Sequence, residues 1–93
     1  MNIEQINDTH GRLHSAATQF LAERVKGGDP VEWAHAWGTI VAVFDHVDSP
    51  LYGATAVTTS RAADCTFGEA SAALAVLKRE GLLQQVGRYY LRK

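Results

Sequence analysis

Four basic side chains in the last third of the sequence are the residues best suited to bind a charged ligand. Arg61, Lys78, Arg79 and Arg88 lie within residues 57–93, where six Lys and Arg outnumber three Asp and Glu and give a net charge of +3. The remaining residues carry three bases and seven acids, so the overall charge of −1 hides a basic C-terminal segment. Because Lys and Arg neutralise the phosphates of nucleic acids, this segment predicts a phosphate-binding surface.

Histidine and cysteine residues offer little further chemistry. His10 and His14 lie four residues apart, the spacing at which two imidazoles on one helix share a metal ion, but no carboxylate or cysteine is evidently placed to complete the shell. We interpret both as solvated side chains. Cys65 is the only cysteine and has no evident histidine base. We therefore expect no catalytic activity, no metal and no cofactor.

Length and composition predict a single globular domain. The chain has 93 residues, of which 46% are hydrophobic and 20% charged, as is typical of soluble proteins. The sequence contains no apolar run close to the roughly 18 residues that span a bilayer, and its first residues lack the basic and apolar parts of a signal peptide. Together with the lone cysteine, these features predict a cytoplasmic location.

Two amphipathic helices are predicted in the N-terminal half. Apolar residues spaced by three and four over residues 2–26 predict a first helix, which the Gly27-Gly28 pair ends. Asp29 before Pro30 predicts the start of a second helix, since Asp caps helix N-termini and Pro is favoured at the first helical position. We expect the aromatic side chains of the second helix to dominate the core. Its apolar positions are Trp33, Trp37, Ile40, Val41, Phe44 and Val47.

Two more helices are predicted after a loop. Thr59 or Ser60 is suited to cap a short helix that runs through about Cys65, and the residues 66–68 predict a turn. The spacing of Ala and Leu then predicts a longer helix over 68–80, ended by the glycine that follows it.

A hairpin is predicted at the C-terminus. Residues 82–86 and 88–92 are two apolar runs on either side of Gly87, which supplies the positive φ that a tight hairpin turn requires. The short segment 56–58 predicts one additional strand beside it. The predicted fold class is therefore mainly α with a small β-hairpin.

This order of elements resembles the winged helix-turn-helix superfamily of small bacterial and phage-type transcription regulators. The resemblance rests on Ser60-Arg61-Ala62-Ala63, on the stretch GEASAALAVLKREGLL that starts at Gly68, and on the run VGRYYL that starts at Val86. It implies a winged-helix domain over residues 29–93, preceded by an extra amphipathic helix over residues 1–28.

The resemblance also implies how duplex DNA is bound. In DNA-binding members the second helix of the motif lies in the major groove and the wing touches the backbone or the minor groove. The corresponding groove-facing residues here are Thr66, Gly68, Glu69, Ser71, Ala72 and Ala75, and the phosphate-binding residues are Arg61, Lys78, Arg79 and Arg88. The groove-facing set has no Arg, Lys, Asn or Gln, the residues that most often read bases.

Two further expectations concern protein partners. The Ala-rich face of the 68–80 helix and the acidic N-terminal half suit a winged-helix adaptor or inhibitor, of a phage or plasmid type, that binds a protein without specific DNA binding. The helix over residues 1–28 either covers the winged-helix core or pairs with a second copy. We favour a homodimer, since a winged helix closes its own core with three helices and a hairpin.

Overall fold

The computed structural model describes residues 3–24, 30–47 and 53–93. These residues form α1 (Ile3–Arg24), α2 (Pro30–Val47), α3 (Ala56–Ala62), α4 (Phe67–Arg79), β1 (Leu83–Val86) and β2 (Tyr89–Arg92). The predicted fold class, mainly α with a small β-hairpin, is confirmed. None of the described helices is both long and apolar enough to cross a membrane.

Helices α1 and α2 pack against each other and against α4. The face of α1 that carries Ala16, Ala17 and Phe20 is buried in the same core as Ile40 and Val43 of α2. Helix α1 is continuous through Gly11. Helix α2 begins at Pro30, as the position of this proline predicts. The predicted stop at Gly27-Gly28 and the predicted cap Asp29 lie outside the described residues.

Helix α3 starts earlier than the sequence analysis predicts. Thr55 is its N-cap: the Thr55 hydroxyl accepts from the Thr58 backbone N–H at 3.2 Å, and the Thr58 hydroxyl accepts from the Thr55 backbone N–H at 3.1 Å. The predicted caps Thr59 and Ser60 lie inside the helix, and the strand predicted over 56–58 is its first turn. The reciprocal pair of hydrogen bonds explains both errors, because it satisfies two backbone donors that a strand or a later helix start would leave open.

Helix α4 has the same kind of start. Thr66 is its N-cap, and Glu69 completes the capping box by accepting from the Thr66 backbone N–H. The helix therefore begins at Phe67, one residue before the predicted start at 68, and the turn predicted over residues 66–68 is wrong. At the other end the chain leaves the helix through Gly81, whose φ of +80° is a left-handed conformation that favours glycine. This end agrees with the prediction.

The hairpin follows directly and is confirmed. Strands β1 and β2 are antiparallel, with Gln85 opposite Tyr90 and Val86 opposite Tyr89, and Gly87 in the turn has a φ of +61°. The added pairing that the sequence analysis assigned to 56–58 occurs instead at Ala54. Its backbone N–H donates to the Tyr90 carbonyl at 3.0 Å, and the Tyr90 N–H donates to the Ala54 carbonyl at 2.7 Å.

Aliphatic side chains form the centre of the core. The largest fully buried side chains are Ile40, Leu74, Leu77, Leu83 and Val43. Trp33, Trp37 and Phe44 are only partly buried and pack against the outside of this cluster, so the expectation that aromatic residues dominate the core is wrong. Small side chains occupy the buried positions instead: Ala16, Ala17, Ala36 and Ala73 are fully buried in the close-packed core.

Candidate nucleic-acid interface

The outward face of α4 and one face of the hairpin form a continuous surface. One shallow recess, here the Phe67 recess, lies between the start of α3, Phe67 and Arg88 in the hairpin turn. A second, the Lys78 recess, lies between the last turns of α4 and the hairpin. Gln85 and Tyr90 line both recesses. The two side chains stand opposite each other on neighbouring strands, so this face of the hairpin shares one recess with the first residue of α4 and another with its last turns.

Hydrogen bonds join α4 to the hairpin at the Lys78 recess. The Lys78 ammonium donates to Gln85 Oε1 at 2.9 Å, and Gln85 Nε2 donates to the Gly87 carbonyl at 3.0 Å. These two hydrogen bonds connect the last turn of α4 to the turn of the hairpin. It orients a lysine whose ammonium remains exposed.

The predicted phosphate-binding cations occupy three different environments. Lys78 and Arg79 line the Lys78 recess, and Arg88 lines the Phe67 recess with its guanidinium over the Tyr89 ring, 5.4 Å from the centroid. Arg61 is exposed on the last turn of α3 and lines neither recess. The structure thus brings three of the four cations to one surface.

Arg79 is paired with an acid from the N-terminal helix. Its guanidinium donates to Glu23 Oε1 at 2.5 Å, and both side chains are about half exposed. Among the described residues that line the two recesses, Glu23 is the one carboxylate. No local sequence pattern predicts this pairing, because 56 residues separate the two side chains.

A polar stripe of α1 holds the end of α4. The Ser15 hydroxyl donates to the Glu80 carboxylate at 2.8 Å, Gln19 donates to the same carboxylate oxygen, and Arg12 donates to the Glu80 carbonyl at 3.3 Å. These residues and Glu23 follow one another at helical spacing. Helix α1 therefore fixes the C-terminal end of α4 through side chains as well as through its apolar face.

Glu69 and Thr66, both predicted to face the groove, are engaged in the structure. Their side chains form the capping box, and His35 on α2 hydrogen-bonds Glu69 Oε2 at 2.9 Å. The hydrogen bond to His35 lowers the pKa of the Glu69 carboxyl, partial burial opposes this shift, and the hydrogen bonds from Thr66 add to the lowering. In the free protein, Glu69 is thus an ionised cap that links α4 to α2.

The other predicted groove-facing residues are small. Gly68 and Ala75 are exposed, Ser71 is half-buried, and Ala72 is half-buried against the core. One residue of this face was missed. Phe67 leaves 58% of its surface exposed, and it lies in the first turn of α4 instead of the predicted turn because Thr66 is the helix cap.

The histidines of α1 contact the tryptophans of α2, and Cys65 is partly buried. His10 and His14 pack against indoles, with ring centroids 5.5 Å from Trp37 and 4.9 Å from Trp33 respectively. Burial raises the pKa of the Cys65 thiol, and the carboxylates of Glu69 and Asp64 raise it further, which disfavours the thiolate. Over the described ranges, no group of three or more His, Cys, Asp and Glu side chains is arranged to hold a metal ion.

Comparison with protein-family models, with curated proteins and with solved structures found no match to this chain.

Proposed function

We propose that this protein is a small DNA-binding transcriptional regulator of the winged-helix type, with α4 in the major groove and the hairpin as the wing. The observation that supports this proposal best is the surface shared by α4 and the hairpin. Gln85 and Tyr90 border both recesses, and cations lie at the two ends, Lys78 and Arg79 at one and Arg88 at the other.

The centre of this surface suits a close approach to a duplex. Gly68 and Ala75 are exposed and small, so the backbone of α4 meets little steric hindrance in a groove about 12 Å wide. A helix with cations in its last turn and with Arg88 in the recess beside its first residue is matched to the two phosphate strands that border the groove. Arg61, Thr66, Glu69, Ser71 and Ala72 remain predicted contacts of the same complex.

The proposal is tested by the salt dependence of binding to random-sequence duplex DNA. Each cation that contacts a phosphate contributes about −0.9 to the slope of log K against log salt concentration. We expect Lys78→Ala and Arg88→Ala each to weaken binding and to reduce the slope by about 0.9. Lys93→Ala is the matched control, since it removes an exposed cation at the opposite end of the hairpin from Arg88. Absence of wild-type binding at about 50 mM salt would refute the proposal.

A protein-binding function is the second candidate, and a specific observation favours it. Val57 is 46% exposed and Phe67 is 58% exposed, and both line the Phe67 recess beside Arg88. Adjacent exposed apolar side chains next to a charged rim are typical of protein interaction sites. This candidate predicts no salt-dependent duplex binding and a loss of partner binding in Phe67→Ala.

A homodimer through α1 remains part of the proposal, but the apolar face of this helix is not available as the dimer contact. The apolar residues Ala16, Ala17 and Phe20 are covered within a single chain. A dimer contact through the described part of α1 would have to use its outer, polar side.

A further inference from the structure

We propose that Phe67 is a specificity-determining residue that reads the 5-methyl group of thymine in the major groove. This inference rests on the proposed function, since it requires α4 to enter the groove. The observation behind it is that Phe67, the first residue of α4, leaves 58% of its surface exposed to water in the free protein.

The position of Phe67 on α4 is where base contacts are made. In helix-turn-helix proteins the N-terminal residues of the recognition helix contact base edges. Phe67 is followed at helical spacing by Ser71 and Ala75 along the outer side of α4. Of these three, only Ser71 carries a hydrogen-bonding side chain.

The chemistry of the groove then selects the base. The edges of guanine, cytosine and adenine present hydrogen-bonding groups but no methyl group in the major groove, whereas thymine also presents a methyl group. A phenyl ring placed against a polar edge leaves that edge without its water and without a replacement partner, which costs free energy. Against a thymine methyl, the same ring buries apolar surface on both sides.

Neighbouring residues favour a duplex over a protein as the occupant of this site. Arg88 lines the recess that holds Phe67, and its exposed guanidinium is placed to contact a phosphate beside the base that Phe67 reads. The exposed apolar surface of this recess is also small, since Val57 is the one other exposed large apolar side chain among the described residues that line it. Val86, although 62% exposed, stands on the opposite face of the hairpin from Gln85 and lines neither recess.

The test compares duplexes that differ only in the 5-methyl group. The first pair is alternating d(AT) and alternating d(AU), and the second is alternating d(GC) and the same duplex with 5-methylcytosine. We expect wild-type protein to bind the methylated member of each pair about four-fold more tightly for each methyl contacted, the fold-change that corresponds to ~0.8 kcal/mol per buried methyl-sized group. Phe67→Ala should bring both ratios close to 1, and Phe67→Leu should keep most of the preference.

Val86→Ala is the matched control, because it also removes an exposed apolar side chain and should leave both ratios unchanged. Helical content and melting temperature confirm that each variant is folded. Equal wild-type affinity within each pair overturns the inference while leaving DNA binding intact. Failure to bind any of the four duplexes refutes the proposed function itself. A preference that persists in Phe67→Ala assigns the methyl contact to another residue and likewise overturns the inference.

Discussion

Replacing Thr59 by valine should stabilise the fold, although it removes a hydroxyl group from the middle of α3. Thr59 is fully buried in α3, and its hydroxyl has no hydrogen-bond partner within the described part of the chain. An unsatisfied buried hydroxyl costs about 1–3 kcal/mol of desolvation. Valine has nearly the same shape and places a methyl group where the hydroxyl stood, so this cost disappears without a cavity.

We therefore expect Thr59→Val to raise the free energy of unfolding by about 1 kcal/mol, which corresponds to roughly 4–8 °C in melting temperature for a domain of this size. Urea and thermal unfolding followed by circular dichroism measure both quantities. Thr58→Val, at the adjacent position, should have the opposite sign, since the Thr58 hydroxyl accepts from the Thr55 backbone N–H in the capping box. Loss of that cap costs about 1 kcal/mol. Destabilisation by Thr59→Val would show that the hydroxyl has a partner in solution and that the reasoning from burial is wrong.

Two other substitutions test the contacts around the proposed interface. Glu69→Gln should lower the free energy of unfolding by about 0.5–1 kcal/mol at pH 7, because an ionised side chain at the start of α4 is lost. Since the folded-state pKa of Glu69 lies below its ordinary value of 4.5, the difference between wild type and variant should persist above pH 4.5 and vanish as the pH falls through the folded pKa; a difference that does not depend on pH would contradict this origin. Glu23→Gln frees Arg79 from its carboxylate partner, so affinity for duplex DNA should rise by up to about five-fold at low salt, the value of an exposed ion pair. Glu23→Gln should not raise DNA affinity in a protein that already carries Arg79→Ala. An equal rise in that background would show that the effect does not depend on Arg79.

The elements that the sequence predicts correctly are those with local determinants. Helix α4 follows from the spacing of its leucines and alanines and from Gly81, and the hairpin follows from Gly87 between two apolar runs. The predicted start of α3 is wrong because several residues within a span of six could cap the helix, namely Thr55, Thr58, Thr59 and Ser60. The choice among them depends on the reciprocal bonds of Thr55 with Thr58, and the pairing of Ala54 with Tyr90 fixes the chain just before them.

The site was predicted in part for the same reason. The presence of cations near α4 and the wing follows from composition and order, and Lys78, Arg79 and Arg88 do line its recesses. The engagement of Glu69 by His35 and of Arg79 by Glu23 depends on tertiary packing across 34 and 56 residues. The exposure of Phe67 depends on a helix start one residue earlier than predicted, which changes this side chain from a turn residue to part of the outer face of α4.

Tertiary pairing also decides how much of the basic segment is free to act electrostatically. Arg79 shares its charge with Glu23, and Arg92 donates to the Phe44 carbonyl at 2.9 Å and lies 3.6 Å from Asp45. Arg61, Lys78, Arg88 and Lys93 remain exposed without a carboxylate within 4 Å in the described part of the chain, and the first three are predicted phosphate contacts.

The three predicted phosphate contacts, Arg61, Lys78 and Arg88, set the electrostatic contribution of one chain to DNA binding. If each contacts one phosphate, the slope of log K against log salt is about −2.7, and affinity falls about 40-fold between 50 and 200 mM salt. Two chains bound side by side double the slope to about −5.4 and raise the loss to roughly 2,000-fold. The measured slope thus reports how many copies engage the duplex, because the contribution of each chain is fixed by the ion pairs that α1 and α2 make with the basic segment.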